Sequence, residues 1–443
     1  MKKLVLILAA LLLAAPAAMA ERPPQYFVDE AKLPFAGVPG IPTRRLWGIH
    51  NGAGFRIEVP DNWNGSLVLW AHGFRGNGLE LTVDDHPLRL FLIANGYAWA
   101  ASSYSRNAYD PAQGAKDTHA LTTFFNGKFG RPVRTYITGA SMGGHVTGIV
   151  AEQWPNSYDG AMPVCGVLGD YELFDFFLDF NLAAQTLSGV GRVFPFAPDY
   201  LGVGVPATKA ALELVPGTFP FTLNAAGGNL KSLTQLRSGG VRPVFDQGFL
   251  FWNGVAGDFL FGLGVAIGDG TMPRHPGVVV DNTDVVYQFD TNPAASPEEA
   301  ALNAAIQRVA ADPQGRHVNG ISNVPPTTGE LRIPMLSLHN LGDLFVPFLM
   351  EQVYAERVAA HGASNLLVQR AIRDFRHCAF SPNEFVEGFV DLVRWVEAGV
   401  KPAGDNVLDP AVVADPSYGC AFTRGNRLFP APLSIPACPV TTP

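Results

Sequence analysis

One serine in this chain has the surroundings that a nucleophile needs. Ser141 lies in Gly139-Ala140-Ser141-Met142-Gly143, after an apolar run and before helix-forming residues. A hydroxyl on a sharp turn from strand to helix stands clear of the sheet, and flanking glycines let the backbone pass closely. The N–H of Met142 would face a negative charge forming beside Ser141. The spacing predicts a nucleophile for acyl transfer; the alternative is an incidental serine in a glycine-rich turn.

An acid and a histidine follow in the order that such a serine needs. A buried strand predicted from Arg332 to Leu338 runs into a loop containing Asp343, and a strand from Asn365 to Ile372 runs into a loop containing His377. Histidine can take the serine proton, and the acid fixes the histidine tautomer. Serine, acid, histidine is the chain order of α/β-hydrolase triads. The chain therefore resembles the α/β-hydrolase superfamily, in particular its secreted serine ester hydrolases.

The resemblance implies where the rest of an oxyanion hole lies. The apolar strand Ser66 to Ala71 ends in His72-Gly73-Phe74, where members of this superfamily place a second N–H donor. Carried over to this chain, the donors are the backbone N–H groups of Phe74 and Met142. We expect His72 to support this loop by hydrogen bonding and to take no part in the triad.

Two other acids compete with Asp343. Asp170 follows the preceding predicted strand, and some relatives supply the acid from that position. Asp374 is too near His377 in sequence to orient it easily. We favour Asp343, because a Gly-Asp pair followed by Val-Pro after an apolar strand is the usual context of this acid in the superfamily.

Alternating strands and helices predict how these residues are positioned. The pattern indicates a mostly parallel sheet with helices on both faces. The resemblance implies that this sheet has the α/β-hydrolase fold, with a large inserted cap. The further predicted strands are Phe55 to Val59, Tyr97 to Ser102, Thr135 to Thr138 and Asp159 to Cys165; predicted helices are Leu88 to Ala94, Asp117 to Phe125 and Met142 to about Gln153. A capping box at Ser381 to Glu384 predicts a last helix that covers the sheet behind His377.

The predicted cap is the segment 166–330, inserted between the two halves of the core, 21–165 and 331–400, with a tail from 401 to 443. It is rich in phenylalanine. We predict Phe174 and Phe177 as substrate contacts; the alternative is that such rings form the cap's own core. An apolar cap favours a substrate with a hydrophobic or aromatic part. We expect the cap to select the substrate and to contribute nothing to the chemical step.

The amino terminus has the features of an export signal. Met1-Lys2-Lys3 is followed by an apolar run from Leu4 to Leu13 and by Ala18-Met19-Ala20, which resembles a cleavage site. We therefore predict a signal peptide over residues 1–20 and a secreted or periplasmic protein with no stable membrane span after its removal. A membrane anchor is the alternative, but the run is short for a bilayer.

Composition narrows the classes of partner. The chain has 443 residues, 47% of them hydrophobic, and a formal charge of -8, so it can bury a large core and repels nucleic acid. No dinucleotide-binding or phosphate-binding glycine motif is present, and we predict no cofactor and no metal site. The sequence does not predict an oligomeric state.

Four cysteines allow three pairings in an exported protein. They are Cys165, Cys378, Cys420 and Cys438. Proximity in sequence favours Cys420 with Cys438, without excluding the other pairings. A bridge to Cys378 would stiffen the loop of His377.

Together these features predict a secreted serine carboxylic-ester hydrolase that acts through an acyl-enzyme on bulky apolar, aryl or polymeric esters. One alternative is a secreted serine peptidase of the same fold. It would need an anchor for the peptide amino terminus, for which Glu172 is an isolated candidate. The other alternative is a binding protein that has lost catalysis; the presence of serine, acid and histidine speaks against it.

Overall fold

The structure is a computed structural model that describes residues 25–191, 193–214, 222–267, 278–313, 315–316, 324–425 and 427–438. The predicted signal peptide, residues 1–20, lies outside the described residues. The strands are β1 (Phe27–Val28), β2 (Thr43–His50), β3 (Ala53–Pro60), β4 (Ser66–Ala71), β5 (Glu80–Leu81), β6 (Ala98–Ser102), β7 (Arg134–Ala140), β8 (Gly160–Val164), β9 (Met335–Asn340) and β10 (Leu367–Ile372).

The α-helices are α1 (Arg89–Ala94), α2 (Pro111–Phe129), α3 (Met142–Gln153), α4 (Glu172–Ser188), α5 (Val205–Ala211), α6 (Ala225–Arg237), α7 (Phe245–Leu250), α8 (Phe259–Ala266), α9 (Pro297–Ala305), α10 (Leu349–Ala360), α11 (Pro382–Ala398) and α12 (Pro410–Val413). Short 3-10 turns lie at Glu30–Lys32 and Ser364–Leu366, and π-helical turns at Tyr200–Gly204 and Phe251–Val255.

Eight of these strands form the central sheet, in the order β10-β9-β8-β7-β4-β6-β3-β2. Neighbours from β10 to β6 are parallel, whereas β3 is antiparallel to both β6 and β2. The order and direction of the strands are those of the α/β-hydrolase fold, and they confirm the predicted fold class. β2 was not predicted.

Helices cover both faces of this sheet because its strands are apolar on both faces. On β4, Leu67 and Leu69 belong to one hydrophobic core, and Val68 and Trp70 belong to the other. Residues of α2 and α3 fill the first core, and residues of α1 and α11 fill the second. The predicted capping box at Ser381 is present and begins α11, which packs behind the sheet as expected.

The segment predicted as the cap is helical in the part that the structure describes. It contains α4 to α9, and α4 lies at its centre with nearly every side chain buried. Phe180 of α4 packs on Phe261 of α8 with ring centroids 5.0 Å apart. The Tyr287 hydroxyl donates to Asp179 of α4 over 2.6 Å. The aromatic residues of this segment therefore build much of its own core.

Two disulfides join the four cysteines. Cys420 is bonded to Cys438, the pair that proximity favoured, and Cys165 is bonded to Cys378. Disulfides persist in oxidising compartments, which agrees with a protein exported from the cytosol.

None of the helices in the described ranges is, taken singly, long and apolar enough to span a bilayer. The pair Phe245–Val255 and Phe259–Ala266, bent by 74°, meets the criterion of length and composition when taken together.

The turn from β7 to α3, which we call the nucleophile turn, needs glycine on both sides of Ser141. A Cβ atom on Gly139 would lie 2.2 Å from the carbonyl oxygen of Gly143. A Cβ atom on Gly143 would lie 2.0 Å from the carbonyl oxygen of Ala71 on β4. Both contacts are with backbone, which cannot rotate away as a flexible side chain can.

Gly143→Ala should therefore destabilise the protein by about 1–3 kcal/mol or more, the usual cost of overpacking. Gly127→Ala is the matched control, because Gly127 lies in α2 with nothing within 4 Å of its Cβ position. That control should be neutral or slightly stabilising, since alanine favours a helix. Urea unfolding of both variants measures the difference, and equal stabilities would contradict this account of the turn.

The two disulfides should contribute unequally to stability. Cys165 and Cys378 are 213 residues apart, and Cys420 and Cys438 are 18 apart. Loop entropy then predicts a loss of about 5 kcal/mol for Cys165→Ala/Cys378→Ala and about 3 kcal/mol for Cys420→Ala/Cys438→Ala. Urea unfolding of the two double variants checks this order, and a larger loss for the second pair would refute it.

Candidate active site

Ser141 has a backbone conformation that only a few non-glycine residues adopt. Its φ is 58° and its ψ is -122°. Its N–H donates to the Val164 carbonyl oxygen over 3.1 Å, and its own carbonyl oxygen accepts from Gly144 and His145 at the start of α3. The sheet and the helix together hold the strained residue, as is common at functional sites. Ser141 is half-buried, so solvent still reaches it.

The predicted oxyanion hole lies next to this serine. A Cβ atom on Gly73 would lie 3.2 Å from the Ser141 Cβ and 3.7 Å from its Oγ, so the turn after β4 contacts Ser141 directly. Among the described residues, the backbone N–H groups of Phe74 and Met142 donate to no other group. Two free amide donors therefore lie on the two segments that meet at the serine.

His72 lies against the backbone of this turn. Its Nδ1 lies 2.7 Å from the Gly73 carbonyl oxygen and its Nε2 lies 3.0 Å from the Ser103 carbonyl oxygen. Its ring stacks on Tyr104 with centroids 3.9 Å apart. Burial lowers the pKa of His72 to about 3, so the ring is neutral at ordinary pH. These contacts agree with the supporting role expected for it.

Asp343 and His377 form a hydrogen-bonded pair at the carboxyl edge of the sheet. His377 Nδ1 lies 2.6 Å from Asp343 Oδ2, and the Asp343 side chain is fully buried while 17% of the His377 side chain is exposed. Asp343 Oδ1 accepts from the N–H groups of Phe345 and Val346, over 2.9 and 3.1 Å. With Nδ1 donating to the acid, Nε2 of a neutral ring is left as a proton acceptor.

The Cys165–Cys378 disulfide brings this pair to the nucleophile turn. Cys165 follows Val164, which accepts a hydrogen bond from Ser141, and Cys378 follows His377. Cys378 Sγ lies 3.3 Å from His377 Nε2. The two sulfurs and the imidazole lie as close together as metal ligands do, but cysteines joined in a disulfide offer no thiolate.

The two competing acids, Asp170 and Asp374, form ion pairs with arginines. Asp170 is buried and forms an ion pair with Arg357 at 2.5 Å, and it accepts from the N–H of Thr327 over 3.1 Å. Burial raises its pKa, and Arg357 acts in the opposite direction. Asp374 is paired with Arg376 and Arg427 at 2.9 and 2.7 Å. Of the acids considered, Asp343 is the one hydrogen-bonded to His377.

Phe345 is a neighbour of the site that sequence reasoning missed. Its ring lies 4.9 Å from the His377 ring and 4.8 Å from that of Phe259 in α8, centroid to centroid. Both phenylalanines are half-buried. Phe345 is two residues after Asp343, so its place in the acid's loop was visible in the sequence, but its partner comes from the distant cap.

Phe174 and Phe177, the predicted substrate contacts, are packed inside the protein. Their side chains are 0% and 1% exposed. The Phe174 ring meets Tyr109 at 5.2 Å, and the Phe177 ring lies 6.4 Å from Phe345. This burial agrees with the alternative interpretation, in which they form the cap's core, and Phe345 and Phe259 are better placed to meet a substrate.

Three cavities of the described residues lie away from Ser141 and His377. One of about 600 Å³ lies at the opposite edge of the sheet, lined by residues such as Arg134 and Asp159, where β7 and β8 begin. The hydrogen-bonded pair of Asp343 and His377 therefore lies outside this cavity.

Comparisons with known proteins place the chain beside hydrolases at low identity. It is 21% identical over 424 residues to an o-phthalyl amidase from Xanthobacter agilis, which covers 82% of this chain and 89% of that protein. Feruloyl esterase B from Aspergillus oryzae is similar over 86% of both chains, with 15% identity and a TM-score of 0.43. An esterase from the same organism is similar over 81% of both chains, with 14% identity and a TM-score of 0.45. No protein-family model matches.

The fold of this chain is recognised from its own strand order and from the positions of the serine, the acid and the histidine. The strand order is that of the α/β-hydrolase fold, the serine stands on a glycine-flanked turn after the parallel strand β7, and the acid and histidine follow β9 and β10. This chain has the α/β-hydrolase fold.

Proposed function

We propose that this protein is an exported serine hydrolase that cleaves carboxylic esters with a bulky apolar or aryl group. The observation that carries the proposal is the 2.6 Å hydrogen bond between His377 and Asp343, beside a serine on a strained turn. A serine, an imidazole and a carboxylate that follow the strands of one parallel sheet edge are the groups that nucleophilic acyl transfer uses.

In the proposed reaction, Ser141 Oγ attacks the carbonyl carbon while His377 Nε2 takes the hydroxyl proton. Asp343 holds the proton on Nδ1 and stabilises the imidazolium that forms. The N–H groups of Phe74 and Met142 bind the oxyanion of the tetrahedral intermediate, and each such donor contributes roughly 3 kcal/mol. His377 then protonates the leaving alcohol, and a water molecule releases the acyl group by the same route.

The surroundings of His377 favour an apolar substrate group. Phe345 presents a half-buried ring beside the imidazole, and half-buried Phe259 packs on Phe345. Half-buried Phe74 follows Gly73, which lies against Ser141. Apolar lining gives affinity, and few polar anchors fix orientation. Aryl or other bulky esters fit such a lining better than small polar ones.

Amide hydrolysis is the second candidate, and one observation favours it: the 21% identical relative is named an o-phthalyl amidase. The same triad serves ester and amide cleavage. The test must therefore compare the two bonds in otherwise matched substrates.

Replacing Ser141 with alanine tests the proposed nucleophile. Ser141→Ala should lower kcat on p-nitrophenyl esters by about a million-fold and abolish labelling by a fluorophosphonate probe. The fold should persist, because alanine meets the same positive φ as serine does. Ser188→Ala, at the end of α4, is the matched control and should retain labelling. Labelling of Ser141→Ala at the wild-type rate would refute the assignment of the nucleophile.

A second experiment separates the ester and amide candidates. It compares the wild-type protein on esters of increasing acyl length, on an aryl ester and on the matched nitroanilide.

Replacing each of two acids identifies the partner of His377. Asp343→Asn should lower kcat by roughly ten-thousand-fold with the fold preserved, because the amide favours the wrong imidazole tautomer. Asp170→Asn should instead reduce stability, because Arg357 loses its acid, while kcat of the folded protein changes little. Steady-state kinetics and thermal unfolding of both variants show which acid acts on kcat and which acts on stability. A larger kcat loss in Asp170→Asn would move the acid to the earlier strand.

A further inference from the structure

A buried arginine of the cap reaches the loop of the proposed catalytic acid. Arg242, between α6 and α7, is 5% exposed. Its Nε donates to the Leu341 carbonyl oxygen over 2.6 Å, and Leu341 is two residues before Asp343. Its Nη1 donates to Gly240 and its Nη2 to Ser238, within its own loop. The guanidinium thus clamps a cap loop to the segment 341–346, which we call the acid loop.

Among the described residues, this guanidinium has no acid partner. Its contacts within the described residues are carbonyl oxygens, the Ser238 hydroxyl and the Phe245 ring, 5.2 Å from its carbon. Burial lowers the pKa of Arg242 to about 9, and the negative charge of Asp343 acts in the opposite direction. In the part of the chain that the structure describes, the guanidinium forms no hydrogen bond with Asp343, and its link to that acid is the Leu341 carbonyl oxygen of the same loop.

Backbone contacts fasten the same loop from the cap side. A Cβ atom on Gly248 of α7 would lie 2.2 Å from the Gly342 carbonyl oxygen, and a Cβ atom on Gly342 would lie 2.6 Å from the Val244 carbonyl oxygen. On the other side, the N–H groups of Leu341 and Gly342 donate to the carbonyl oxygens of Ile372 and Asp374, each over 2.9 Å. The acid loop is held between the cap and the loop that carries His377.

We propose that Arg242 is a positioning residue for the triad, and that the cap holds Asp343 in place through it. The inference rests on the proposed function. It departs from the expectation that the cap contributes nothing to the chemical step. Without the guanidinium, the Leu341 carbonyl oxygen is left buried without its partner, and the acid loop loses its clamp. Asp343 then no longer fixes the imidazole within the narrow geometry that proton transfer needs.

The test is kinetic and uses the full-length mature protein. Arg242→Met keeps the apolar stem and removes the fork, Arg242→Lys keeps a charge and one donor group, and Ser238→Ala removes one partner of the fork. Arg308→Met is the matched control, because Arg308 is another cap arginine that donates to carbonyl oxygens and lies 5.2 Å from a ring, that of Tyr287. Values of kcat and KM on a small acetate ester and an aryl ester, together with thermal unfolding, are compared for all variants.

We expect Arg242→Met to lower kcat on the order of a hundred-fold for both esters, with KM within about three-fold, since misplacement of a catalytic group acts on the chemical step. Arg242→Lys should recover part of the loss, and Arg308→Met should leave kcat unchanged. Three outcomes would overturn the inference. They are a wild-type kcat in a folded Arg242→Met, a loss of kcat confined to the aryl ester, and an equal loss of kcat in Arg308→Met. If Arg242→Met does not fold, unchanged kcat in Ser238→Ala overturns it and a several-fold fall supports it. A wild-type protein without Ser141-dependent turnover would instead refute the proposed function.

Discussion

The common direction of five neighbouring strands is the constraint on which the site depends. Strands β4, β7, β8, β9 and β10 are parallel, so their carboxyl ends share one edge of the sheet. The residues that follow those ends, 72–74, 141, 165, 343 and 377, are brought together although they are spread over most of the chain. Each loop needs to place its own residue only within a few ångströms of a strand end. The sheet supplies the rest of the geometry.

The core was predictable from sequence because buried parallel strands appear as short apolar runs between turn residues. β4 matches its predicted bounds, and β7, β8 and β10 differ from theirs by at most a few residues. β2 was missed because it is an edge strand with a mostly exposed surface, including Arg44 and Arg45. The cap helices were missed for a different reason: α4 buries polar side chains such as Asp175 and Asp179 together with its phenylalanines, so hydrophobicity alone does not mark its buried sides.

The candidate site divides in the same way. Ser141, Asp343 and His377 were predicted from local context, because each is tied to a strand end and a short motif. Phe345 and Arg242 owe their places to contacts between the cap and the core, which no local pattern records. Phe174 and Phe177 show the converse: their aromatic character was visible, but whether a ring faces a substrate or a core depends on packing that spacing alone does not give.

The Cys165–Cys378 bond has a topological consequence. It closes a covalent ring around everything between the end of β8 and the residue after His377, and this ring contains the whole cap. A protease that cuts one exposed turn of the cap therefore opens this covalent ring without separating the chain into two molecules. Both pieces remain attached to each other and to the core, and the ends of the nicked cap stay near the site. Without the disulfide, the same single cut would leave two pieces with no covalent bond between them.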